Sequence, residues 1–149
     1  MASPTARQHK PQNPLMCNGK RYFKMLAVPV TGTSQTSFSF PTDDVLKNAK
    51  ILAVEAFSGN DFPTGPGGNP VANTGVFNKA FLTLKSKEND EDVVTRIPLL
   101  RLRAENNSGE PFRTCDLQIN PSSCSVEVAS TAGLVVGENF YIGFHYQRN

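Results

Sequence analysis

Short apolar stretches recur along this chain, and none has the length or the i, i+3, i+4 spacing of an ordinary amphipathic helix. Glycine and proline together make up 22 of the 149 residues and fall mainly between those stretches, where they turn the chain or end a ladder. This punctuation predicts eight strands, near residues 22–30, 35–40, 50–57, 76–84, 93–103, 112–119, 125–130 and 139–146. Short strands at such spacing predict an all-β fold: an antiparallel β-sandwich of about eight strands, jelly-roll-like, with an extended N-terminal arm. Ten phenylalanines and no tryptophan can fill its core without burying an indole N–H.

The strands differ in how they expose their faces. Thr36, Phe38 and Phe40 alternate with Ser37 and Ser39, the pattern of a half-buried strand. Lys50–Phe57 is apolar on both faces, which suits a central strand, with either Ile51, Ala53 and Phe57 or Leu52, Val54 and Ala56 inward. Thr42 followed by Asp43 and Asp44 predicts a helix start of one or two turns, with Thr42 as N-cap. Val76–Leu84 and Val93–Arg103 are expected to pair as a hairpin around the charged tip Lys85–Asp92. Pro98 implies an edge position or a bulge in the second of these strands. In its last part Leu100 and Leu102 alternate with Arg101 and Arg103, which places both arginines outward, at the rim of an interface or as solubility charges. On the last strand Phe140, Ile142 and Phe144 share one face, and Tyr141, Gly143 and His145 the other.

Charge divides the chain into an arm, residues 1–20, and a sandwich domain, residues 21–149. Residues 1–42 carry five basic side chains (Arg7, Lys10, Lys20, Arg21 and Lys24) and no acid, whereas the rest carries ten basic and thirteen acidic ones. Pro4, Pro11 and Pro14 keep the arm out of any ladder or helix. A basic arm ahead of an acidic body suits docking on a protein surface. Five positives over 42 residues form a thin stripe for phosphates, which ranks nucleic acid behind protein as the partner. No apolar run approaches the ~20 residues of a membrane-spanning helix, and the start lacks the continuous apolar stretch of a secretory signal.

Residues 58–75 hold five glycines and three prolines and read as a long irregular loop, with Phe62 and Val71 as apolar handles that need a surface to cover them. Loops of this length are usually functional, which points to contact with a partner or ligand. Catalytic signatures are missing. Gly65-Pro66-Gly67-Gly68 lacks the Lys-Ser/Thr of a phosphate-binding loop, and no G-x-S-x-G elbow occurs. Glu88, Asp90, Glu91 and Asp92 lack the spacing of a calcium loop, and Cys17, Cys115 and Cys124 form no C-x-x-C pair, so three reduced thiols and no bound metal are expected. Of the two histidines, His9 lies in the arm and His145 on the last strand; the carboxylates Glu55 and Glu127 alone fall within strands. The expected protein is not an enzyme and takes no cofactor and no small-molecule substrate. Its partner-binding residues are expected to be Arg7, Lys10, Lys20, Arg21, Phe62, Val71, Arg101 and Arg103.

The closing segment GLVVGENFYIGFHY, the strand KNAKILAVEAF and the long Gly/Pro loop resemble the texture of small β-rich virion proteins of bacteriophages, over about residues 45–146. These include auxiliary and decoration proteins that sit on a major capsid lattice. The resemblance implies a jelly-roll-like fold, self-association and docking on a major capsid protein, in a virion assembled in the host cytoplasm. It carries no catalytic residue across. The alternative reading is a small carbohydrate-binding β-sandwich module or a receptor-binding virion protein, although sugar binding favours aromatic platforms and the chain offers only Tyr22, Tyr141 and Tyr146 besides phenylalanine.

Overall fold

The computed structural model describes residues 20–62 and 64–148. The described residues form eight strands: β1 Tyr22–Pro29, β2 Ser37–Ser39, β3 Ala49–Phe57, β4 Ala80–Lys85, β5 Asp92–Pro98, β6 Phe112–Leu117, β7 Ser125–Val128 and β8 Asn139–Arg148. They form two four-stranded antiparallel sheets, ordered β1-β8-β3-β6 and β2-β7-β4-β5. Four of the pairs are nested, β4 with β5, β3 with β6, β2 with β7 and β1 with β8. That is the winding of one long hairpin rolled across two sheets. The remainder of the predicted arm, residues 1–19, lies outside the described residues.

The core fills the space between the sheets. From the first sheet come Leu26 and Val28 on β1, Ile51, Val54 and Ala56 on β3, and Phe140, Ile142, Phe144 and Tyr146 on β8. From the second come Phe38, Ala80, Leu82, Leu84, Val126 and Val128. Rings meet across the gap: Phe38 lies 6.3 Å from Phe140 and Phe40 6.0 Å from Phe144, centroid to centroid. The alternation of β8 holds as read, with Phe140, Ile142 and Phe144 inward.

Four local expectations change. Neither alternating set of β3 is the inward one, because the register shifts between Ile51 and Ala53 and transfers the core face from Ile51 to Val54 and Ala56. Residues 76–77 belong to a one-turn helix and not to β4: α2, Thr74–Phe77, follows α1, Asp44–Lys47. The side chains of Asn73 and Asp43 cap these turns by accepting from the backbone N–H of Val76 and Leu46, so Asp43 takes the capping position expected of Thr42. The predicted strand 93–103 stops at Pro98 and becomes a 3-10 turn, Leu99–Leu102. Leu99 and Leu102, three residues apart, share one side of that turn and are both buried, 0% and 1% exposed, so the Leu/Arg alternation read as a strand does not describe this segment.

The edges carry their own distortions. Arg96 on β5 and Asp116 on β6 have positive φ, 47° each, at points where the register with β4 and β3 shifts. The displaced N–H of Arg96 is not lost, since it donates to the Thr83 hydroxyl at 3.2 Å. Such bulges re-aim an edge and bend it.

Candidate functional site

The long loop is tied down on the outer face of the β1-β8-β3-β6 sheet. Asp61 accepts through Oδ2 from the Ser58 N–H at 2.7 Å and through Oδ1 from Arg103 at 2.6 Å. Arg103 also reaches Glu105 at 2.7 Å. Phe62 sits between Phe57 and Tyr141, 5.8 Å from each ring. Gly65 lies so close to the Tyr141 ring that no side chain fits between them. Val71, 6% exposed, bridges to Asn139 of β8. The segment expected to be irregular throughout contains a 3-10 turn, Pro66–Gly68, an antiparallel bridge between Thr64 and Pro70, and the start of α2. The surface covering Phe62 and Val71 is therefore the chain's own.

On the same outer face, β8, β3 and the residue just before β1 bring three charged or titratable side chains into line. Arg21 reaches Nδ1 of His145 at 2.6 Å, and Nε2 of His145 reaches Glu55 at 2.6 Å. An arginine can only donate, so Nδ1 accepts and the proton sits on Nε2, directed at Glu55. Phe23 packs against the imidazole, 4.9 Å between centroids, while remaining 48% exposed. Phe23 and Phe57 close over Gly143, where a Cβ would meet them at 2.7 and 2.9 Å. Both nitrogens of His145 are engaged, so the ring has no free lone pair with which to take a proton from a substrate in this arrangement.

The open side of the sandwich lies elsewhere. β5 and β6 are edge strands of different sheets, and they face one another across a groove of about 670 Å³. Val94, Ile97, Phe112 and Leu117 line it; all are partly buried and rest against the core. Val93, 41% exposed, and the exposed Cys115 complete its rim. One end is stitched by the Ser86–Ile119 bridge, and the 3-10 turn Leu99–Leu102 follows β5 at the other. The volume lies within the ~300–1,000 Å³ span of ligand clefts, but this cleft runs along two strand edges, each paired on one side only.

The sequence-predicted residues fall into separate places. Arg7 and Lys10 lie outside the described residues. Lys20 is exposed, its Nζ 5.5 Å from the centroid of the Tyr22 ring. Arg21 is held by His145, Phe62 and Val71 are covered by the body, and Arg103 clamps the loop. Arg101 is exposed on the 3-10 turn. Among the described residues no three His, Cys, Asp or Glu side chains converge as a metal site. The groove and the Glu55–His145–Arg21 line escaped sequence reasoning, although Glu55 and His145 were already singled out as strand residues. No protein-family model, curated protein or solved structure matches the chain.

Proposed function

We propose that this chain is a non-enzymatic subunit of a protein assembly that docks on neighbouring subunits along the groove between β5 and β6. The groove is the observation that carries the reading. A sandwich that stood alone would gain by closing this side, yet here apolar side chains of the core margin, Val94, Ile97, Phe112 and Leu117, are left partly open between two unpaired strand edges. Main-chain pairing at such an edge supplies affinity, and the alternate side chains supply selectivity. The nested pairing supports a jelly-roll-like reading, an architecture used in viral capsid proteins and also in lectins and cupins, so the fold narrows the class without deciding it. The resemblance of the sequence texture to auxiliary and decoration proteins of virions favours a capsid as the assembly, with a second copy or a major capsid protein as the neighbour. The loop 58–75, fastened to the body, serves as a rigid surface feature and not as a reaching tether.

The test is solution mass by light scattering across a concentration series, for the native chain and for Val93→Asp. Val93 is exposed at the groove rim, so the substitution leaves the fold intact while placing a charge in the contact. The native chain is expected to form a defined oligomer or larger particles, alone or with its capsid partner, and Val93→Asp to lose them. Equal assembly by both proteins would move docking away from the groove. A native monomer that ignores capsid protein and binds sugars would favour the carbohydrate-binding alternative.

A further inference from the structure

Resting on the assembly reading above, we infer that the groove between β5 and β6 receives the segment Leu15-Met16-Cys17 of another copy of this chain, with Cys17 seated beside Cys115. Nineteen residues precede Lys20, the first described residue, and they contain one run of three consecutive apolar side chains, Leu15, Met16 and Cys17. The groove presents the complement of such a run: a short apolar floor of Val94, Ile97, Phe112 and Leu117 with an exposed thiol, Cys115, among its lining residues. Leucine and methionine fill an irregular apolar trough, and methionine adapts to its shape.

Geometry assigns the segment to a neighbour and not to the chain's own groove. Residue 21 is fixed over β8 by the Arg21–His145 bond, and β1 and β6 are opposite margins of the β1-β8-β3-β6 sheet. Three strand spacings, about 14 Å, separate those margins. The four steps from Arg21 back to Cys17 span at most about 14 Å when fully extended. Asn18-Gly19 favours a turn, which shortens that reach below the separation, so Cys17 stops short of the chain's own groove. A neighbouring copy placed beside the open side meets no such limit, and repetition of the contact builds an array from weak single contacts.

The native cysteines supply the test. The native chain, under conditions where light scattering shows assembly, is oxidised briefly with diamide, which takes up the two hydrogens released as two thiols join. Products are read on non-reducing gels and by peptide mapping, with Cys17→Ser, Cys115→Ser and Leu15→Asp/Met16→Asp as parallel proteins. The expected main product is an interchain Cys17–Cys115 disulfide, absent from both serine variants and reduced at least tenfold in the aspartate variant. Cys124, 1% exposed, stays reduced and serves as the internal control. An intrachain Cys17–Cys115 bond overturns the assignment to a neighbour, and Cys115–Cys115 products overturn it in favour of grooves that face each other. Assembly with Cys17 left unlinked overturns this inference while leaving the assembly reading in place. A monomer under every condition, with or without capsid protein, overturns both.

Discussion

Replacing Arg103 with alanine tests whether the long loop is part of the body. The guanidinium is largely enclosed, with 14% of the side chain exposed, and it bonds Asp61 at 2.6 Å, whose side chain is 29% exposed. An ion pair this enclosed is worth more than a surface pair, which typically contributes ~0–1 kcal/mol, and falls near the ~1.5–3 kcal/mol of a charged hydrogen bond. The second pair, to Glu105, is 64% exposed on the acid side and adds little. Arg103→Ala should therefore cost about 1.5–2 kcal/mol, including the packing of its stem. At ~2–4 °C per kcal/mol for a chain of this size, the melting point falls by about 3–8 °C. Asp61→Ala should cost about 1 kcal/mol more, because Oδ2 also caps the Ser58 N–H at 2.7 Å. The double variant should then be no worse than Asp61→Ala by more than a few tenths of a kcal/mol, the non-additivity of residues sharing one contact. Thermal melts and urea titrations give the energies, and limited proteolysis reports whether cleavage within 58–75 accelerates. Unchanged melting and unchanged cleavage in Arg103→Ala would show that the loop is not clamped by this pair.

Three further outcomes follow from buried groups. Burial pushes the Cys124 thiol from 9.0 up to about 11, partly offset by the Lys85 N–H that it accepts at 3.4 Å. The unfolded chain then releases this proton first, so the stability associated with the neutral thiol is full below pH 9 and declines between pH 9 and about 11, a slope that Cys124→Ala should flatten in urea titrations against pH. Gly65→Ala has no backbone strain to overcome, since φ is −79° and ψ −174°, but its methyl group overlaps the buried Tyr141 ring; a loss of about 1–3 kcal/mol is expected from urea melts. Phe144→Ala empties a site that is 0% exposed between the sheets and should cost about 3–5 kcal/mol, measured in the same way.

How much of this was legible in the sequence depended on how local each feature is. The inward set Phe140, Ile142 and Phe144 and the β4–β5 hairpin follow from alternation and a charged tip, both properties of neighbouring residues. The faces of β3 did not, because every residue from Ile51 to Val54 is apolar and a register shift leaves no mark in such a run. Leu99–Arg103 satisfied a period of two and a period of three equally, and only the burial of Leu99 beside Leu102 separates them. Glu55 and His145 lie 90 residues apart, and β5 and β6 meet only because the winding places two free edges on one side. Arg103 illustrates the same limit, since its charge was visible but Asp61, 42 residues away, was not visible as its partner.

The claim that the β5–β6 groove is the docking surface is met most directly by hydrogen–deuterium exchange, comparing the dilute chain with the assembled one. Assembly is expected to slow exchange at the backbone amides of Val93–Ile97 and Phe112–Leu117, the two edges whose outward N–H groups have no strand beside them. Protection confined to β1 and β2, or to the loop 58–75, with these two edges exchanging as fast as in the dilute chain, would contradict it.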